Sequence, residues 1–226
     1  MYFITDYVVY FIPSLIITNL HLFGYYQCAK KNLEFIRHPK YRGDTLSLLN
    51  YHFSTIHATL ITTVSILGLL NIIGPSLIRY GYHYTCGYMI SDLVFIYTTN
   101  YYKKQRFNFT IHHMILIIFI ILKNNNWVDV NNNIIMQAFL AEITVPTFNY
   151  CWYLIHTDRG NTFSLKLCSL LTLTNYFIFR VCNLSYLTIS LYNSGYLLTG
   201  ALPGGLLASL NTYWFGKLIK KCYEIY

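Results

Sequence analysis

Residues 106–123 read RFNFTIHHMILIIFIILK. The apolar centre, MILIIFIIL, is short, because crossing about 30 Å of hydrocarbon takes roughly 20 mostly apolar residues. Whether this segment crosses a bilayer decides on which side every later segment lies. The adjacent histidines at its start, His112 and His113, bear on what the segment does.

The surrounding chain has the composition of a membrane protein. Its 226 residues are 55% hydrophobic and 11% charged, with a mean hydropathy of +0.40. Soluble domains carry roughly a quarter charged residues. Apolar runs predict seven spans, at 7–27, 48–72, 82–101, 107–123, 132–156, 166–190 and 196–216. The fold class expected is therefore all-α and polytopic. The first run follows Asp6 and lacks a basic leader, so it reads as a span and not as a removed signal peptide. The Asn clusters at 124–126 and 131–133 read as one short polar turn.

The basic residues test the count. With seven spans, one face collects Lys30, Lys31, Arg37, Lys40, Arg42, Lys103, Lys104, Arg106, Arg159, Lys166, Lys217, Lys220 and Lys221. The other face holds Arg79 and Lys123 alone, and Arg180 lies within a span. Thirteen against two places the basic face in the cytosol by the positive-inside rule. If the segment at 107–123 did not cross, later basic segments would change sides and the bias would shrink. The expected topology has a non-cytosolic N-terminus and a cytosolic C-terminus.

The same dispersal argues against nucleic-acid binding, because the net charge of +8 is not gathered on one patch. The six cysteines have no C-x-x-C spacing and mostly fall in apolar runs, so they read as small buried hydrophobes. Two N-glycosylation sequons begin at Asn108 and Asn183. They fall at the cytosolic edge and in a span, so neither is expected to be used.

Ionisable residues inside spans are costly and tend to face a bundle interior. Asp92, Glu142 and Arg180 come to similar depth when each helix is counted at about 1.5 Å per residue. His52, His57, His112, His113 and Asn149 lie nearer the cytosol. Two readings fit these residues. Arg180 pairs with Asp92 or Glu142 to hold helices together, and the histidines are hydrogen-bonded packing. Alternatively the histidine pair takes and gives protons or carries an acyl group, oriented by Asp92 or Glu142. Adjacent histidines diverge by about 100° on a helix, and the Glu-x-x-His motif of carboxylate-bridged metal bundles is absent. Neither a metal nor a cofactor is expected.

Several stretches, in order, resemble the TLC-domain family, named for its TRAM, LAG and CLN homology. They are LNYHFSTIHATLIT, GYMISDLVFIY, FTIHHMILII, AFLAEITVPTFNYCWYL, TNYFIFRVCN and LNTYWFGKLIKK. The resemblance implies a domain at 46–221 preceded by a first span and basic loop at 1–45. It also implies an endomembrane location, the endoplasmic reticulum or a related membrane, and a barrel-like bundle of six helices. The family's ceramide synthases join an acyl group from acyl-CoA to a sphingoid amine, with paired histidines and nearby aspartates as catalytic residues. Carried over, these are His112 and His113, with Asp92 and Glu142 as the available acids. His57, Asn149 and Arg180 form an intramembrane polar network around them. The synthase signature itself departs: LAEITVPTFN stands where a His-Asp-x-x-Asp pattern would be. The resemblance therefore implies lipid handling first, with membrane lipids as partners. An acyl-CoA-dependent N- or O-acyltransferase is the alternative, and a cargo or translocation accessory role is a third.

Overall fold

A computed structural model describes residues 45–98, 103, 105–124, 130–157 and 162–224, together with positions 12, 15, 16, 19 and 23. Among these there is helix and no strand. The five isolated positions are helical and fall in the first expected span, whose remainder lies outside the described residues with the basic stretch 28–44.

The helices are α1 (Thr45–Leu69), α2 (Pro75–Thr98), α3 (Arg106–Asn124), α4 (Asn132–Phe139), α5 (Thr144–His156), α6 (Phe163–Asn175), α7 (Asn183–Asn193) and α8 (Leu202–Tyr223). A 3-10 turn, Leu140–Ile143, joins α4 to α5 in one rod, and a π segment, Tyr176–Cys182, joins α6 to α7 in another. A second π segment, Leu197–Ala201, leads into α8.

Local chemistry sets the ends. α1 stops at Asn71, which takes φ 56°. The Ile72 N–H then returns to the Leu67 carbonyl at 2.8 Å and the Asn71 N–H to Gly68 at 3.0 Å, a Schellman closure. α7 stops the same way at Gly195, where φ 82° favours a residue without a Cβ. α2 begins at Pro75, whose missing N–H costs nothing in a first turn. This start precedes the expected residue 82. α8 likewise runs past the expected end at 216, to Tyr223, carrying Lys220 and Lys221 in its last turn.

The rods close into a ring. α1 packs on α2, α2 on α3, α3 on α8, α8 on the α6–α7 rod, that rod on the α4–α5 rod, and α4–α5 back on α1. Ile61, Cys86, Ile120, Met136 and Phe139 form one apolar core where α1 to α4 meet. Where α7 approaches α8, Gly204 lies so close that a Cβ would sit 2.9 Å from Thr188 Oγ1.

Among the described residues, three rods are long and apolar enough to cross a membrane: Ser47–Leu69, Arg106–Lys123 and Phe163–Asn193. The second is the segment whose crossing the charge distribution required. Large apolar side chains such as Val94, Ile189 and Leu206 are more than half exposed on the outer faces, while Asp92, His57, His112, His113 and Arg180 are buried. An apolar exterior around a polar interior suits lipid as solvent. The protein is a helical integral membrane protein.

Candidate functional site

Two irregular segments build one side of the interior. Pro146 has no N–H to give to the carbonyl four residues earlier, and its ring crowds that carbonyl. The backbone at Leu140–Ile143 tightens into its 3-10 turn just there. Opposite it, the widened turns of the π segment carry Arg180. Such segments recur where backbone groups serve a function. Arg180 Nε donates to the Ala141 carbonyl at 3.0 Å and to Thr144 Oγ1 at 2.7 Å. Nη2 donates to Glu142 Oε1 at 3.3 Å, and Nη1 to Asn211 Oδ1 at 3.4 Å. The guanidinium also lies over the Tyr176 ring, 5.4 Å from its centroid. Tyr176 donates its hydroxyl to Asn211 Oδ1 at 3.0 Å, and Asn211 is anchored through the Leu207 carbonyl at 2.8 Å. Of the two acids at matching depth, Glu142 is the partner of Arg180.

Asp92 serves a different residue. His113 Nε2 donates to Asp92 Oδ2 at 2.8 Å across the α2–α3 interface. An ionised carboxylate can only accept in such a bond, so with Asp92 ionised the shared proton sits on Nε2. Among the described residues neither Nδ1 of His113 nor Oδ1 of Asp92 has a hydrogen-bond partner, and both are buried. His112 lies edge-on to His113, with ring centroids 5.4 Å apart, and edge-on to Trp214 of α8 at 5.8 Å. The divergence of adjacent helical residues thus sends His113 to α2 and His112 to α8.

His57 comes from α1 and stacks on Tyr88 at 3.8 Å, with Nε2 3.3 Å from Thr85 Oγ1. It lies within electrostatic reach of His113, and His112 lies within reach of Arg180. A polar seam therefore runs His57, His113–Asp92, His112, Arg180–Glu142 through the ring. Asn149 stands apart from it. Its amide donates to Tyr51 O at 2.9 Å and to Ser54 Oγ and Thr55 Oγ1 at 2.8 Å, joining α5 to α1.

Tyr176, Asn211, Thr144 and Tyr88 escaped the sequence reading. Asn211 had a usable signal, since an amide within a span needs partners. No group of three or more His, Cys, Asp or Glu side chains among the described residues is placed to hold a metal ion. A cleft of about 130 Å³ opens between α3 and α8, lined by Ile115, Phe119, Leu122, Pro203 and Leu206. It continues the face of α3 that carries His112.

What this seam can do is hold a polar group inside an apolar shell and move a proton at His113 Nδ1. No curated protein and no solved structure matches the chain. A family model described as TLC domain, covering TRAM, LAG1 and CLN8 proteins, matches residues 40–220. The match spans the whole helical ring and most of the chain, and the protein belongs to the TLC-domain family.

Proposed function

We propose that this protein handles a membrane lipid, receiving the lipid's polar group at the seam between His57, His113–Asp92 and His112. One observation carries the reading. Four buried polar atoms, His57 Nδ1, Asp92 Oδ1, His112 Nδ1 and His113 Nδ1, have no partner among the described residues. Leaving such groups unsatisfied costs about 1–3 kcal/mol each, so four near one another mark a place built to meet a polar ligand. The bilayer around the ring supplies ligands with a polar head and an apolar tail. The α3–α8 cleft suits part of an acyl chain, since it is smaller than the roughly 300–1,000 Å³ of whole-ligand pockets. Shaping membrane lipid composition, lipid sensing and lipid trafficking all fit such a site.

The test is lipid carried through purification, identified by mass spectrometry. A double variant, Asp92→Leu with His113→Leu, removes both partners of the bond together, the change that least strands a polar group. It should stay folded and lose the lipid that the wild type retains. The same lipid at the same occupancy would sink the reading.

A second reading, acyl transfer, is favoured by the tautomer that Asp92 imposes on His113. In it, His113 Nδ1 takes the proton of a lipid amine or hydroxyl as that heteroatom attacks the thioester carbonyl of an acyl-CoA. His113 then returns the proton to the departing CoA thiolate. Glu142 is tied to Arg180 and is the less suited acid for this step. A lipid product made by wild type and lost in His112→Ala with His113→Ala would favour it, and an unchanged lipidome would remove it. We place the protein in the endoplasmic reticulum or a related endomembrane on its family membership, and infer a non-cytosolic N-terminus and a cytosolic C-terminus from the charge split.

A further inference from the structure

We propose that Cys151 and Cys168 are a disulfide-forming pair that joins α5 to α6 reversibly. The argument is one of register. α5 and α6 are the arms of a helical hairpin, closed by residues 157–162. Cys151 stands five residues before the last residue of α5, and Cys168 five residues after the first residue of α6. Thr147 and Thr172 are matched in the same way, nine residues from those ends. In an antiparallel pair with a common rise per residue, matched positions lie at the same height.

The side-chain contacts show which way the thiols face. Cys168 Sγ donates to the Thr147 carbonyl at 3.3 Å. Cys151 Sγ lies 3.6 Å from Thr172 Oγ1. Each thiol reaches the threonine one turn deeper on the opposite helix, so both occupy the seam between α5 and α6 at one level. The two thiols thus sit side by side on facing helices, each within reach of the other's neighbouring turn. A third thiol, Cys222 in the last turn of α8, lies within electrostatic reach of Cys151. Cys168 is itself buried, as are Cys222 and, in the core of α1 to α4, Cys86, while Cys182 is exposed.

Depth allows the chemistry. Five residues from a helix end is about 7.5 Å, and Cys151 is only half-buried, so a small oxidant can reach it. Hydrogen peroxide is one such oxidant. One thiolate attacks a peroxide oxygen, giving a sulfenic acid and, after proton transfer, water. The other thiolate then attacks the sulfenic sulfur and expels hydroxide, which is protonated to a second water. Two thiols lose two electrons and two protons, and peroxide becomes two waters. Exchange with a cytosolic thiol restores the pair. The bond would fix the register of α5 against α6, whose rods carry the Thr144–Arg180 contact. The inference does not rest on the lipid reading.

The test uses the full chain in lipid nanodiscs, exposed to increasing hydrogen peroxide, alkylated, digested and read by mass spectrometry. The dominant linked peptide should join Cys151 to Cys168 and disappear with dithiothreitol. Cys222→Ser should keep the link, and Cys151→Ser should abolish it while leaving Cys168 open to alkylation. Two results would overturn the proposal: a dominant link to Cys222, or Cys151 and Cys168 still alkylated at peroxide levels that fully oxidise Cys182.

Discussion

Asp92 of α2 accepts the Nε2–H of His113 of α3 at 2.8 Å, and the pairing fixes which nitrogen of the ring is free. An amide at position 92 would break that rule, because its NH₂ can donate to Nε2 and shift the proton to Nδ1. Asp92→Asn should therefore fold in near-normal yield yet move the His113 proton toward Nδ1. Nitrogen-15 shifts of the labelled imidazole report this directly. An unchanged tautomer would mean that the carboxylate does not control the ring.

Much of this pair was legible from residue type and depth. The apolar runs around MILIIFIIL gave span 4, and the position of His112 and His113 at its start put both near the interior of the helix ring. Which acid served which base was not legible, since Asp92 and Glu142 reach similar depth and spacing along a helix says nothing of ring order. That α3 packs against α8, bringing Trp214 to His112, follows from closure of the ring and from no local pattern. Pro146 was a usable signal for a break near Glu142, although the span expected at 132–156 ran through it uninterrupted. The π segment around Arg180 has no Gly or Pro to announce it, so Tyr176 and Asn211 went unnoticed as its partners.

Gly204 is the second test, and it concerns the ring itself. A Cβ there would sit 2.9 Å from Thr188 Oγ1, closer than packed atoms come. Small residues let membrane helices approach, and overpacking costs about 1–3 kcal/mol. Gly204→Ala should lower the thermal midpoint in detergent. Adding Thr188→Ala removes the obstructing oxygen and should restore most of it. If the double variant is as weak as the single, the α7–α8 contact is not what the glycine serves.

Sidedness can be measured independently. Thirteen basic residues on one face against two on the other predict that a C-terminal tag is digested by protease added to sealed microsomes and that an N-terminal tag is protected. Both tags on one side would require an even number of spans. Arg106–Lys123, with its short apolar centre, would then be the first suspect, although it is long and apolar enough to cross.

The last prediction concerns Arg180 and Glu142. The guanidinium is buried and spends its donors on Glu142, Thr144, Asn211 and the Ala141 carbonyl. Removing one member of a buried charge pair costs about 3–5 kcal/mol, mostly because the other charge is stranded, whereas replacing both with apolar residues is often close to neutral. Glu142→Leu should therefore reduce folded yield sharply. Arg180→Leu should do so as well, leaving a carboxylate and the Asn211 amide without their cation. Combining the two should recover a large part of the loss, which size-exclusion chromatography of the fluorescently tagged protein can quantify. Pairing Arg180→Leu with Asp92→Leu should recover nothing, because Asp92 is bonded to His113 and not to the arginine. Equal recovery from either acid would mean that the ring tolerates a change of partner and that the seam senses net charge rather than a fixed pair. No recovery from either would assign the cost of losing Arg180 to its contacts with Ala141 and Thr144. In that case the cation serves as a clasp between the 3-10 turn and the π segment, and Glu142 is incidental to it.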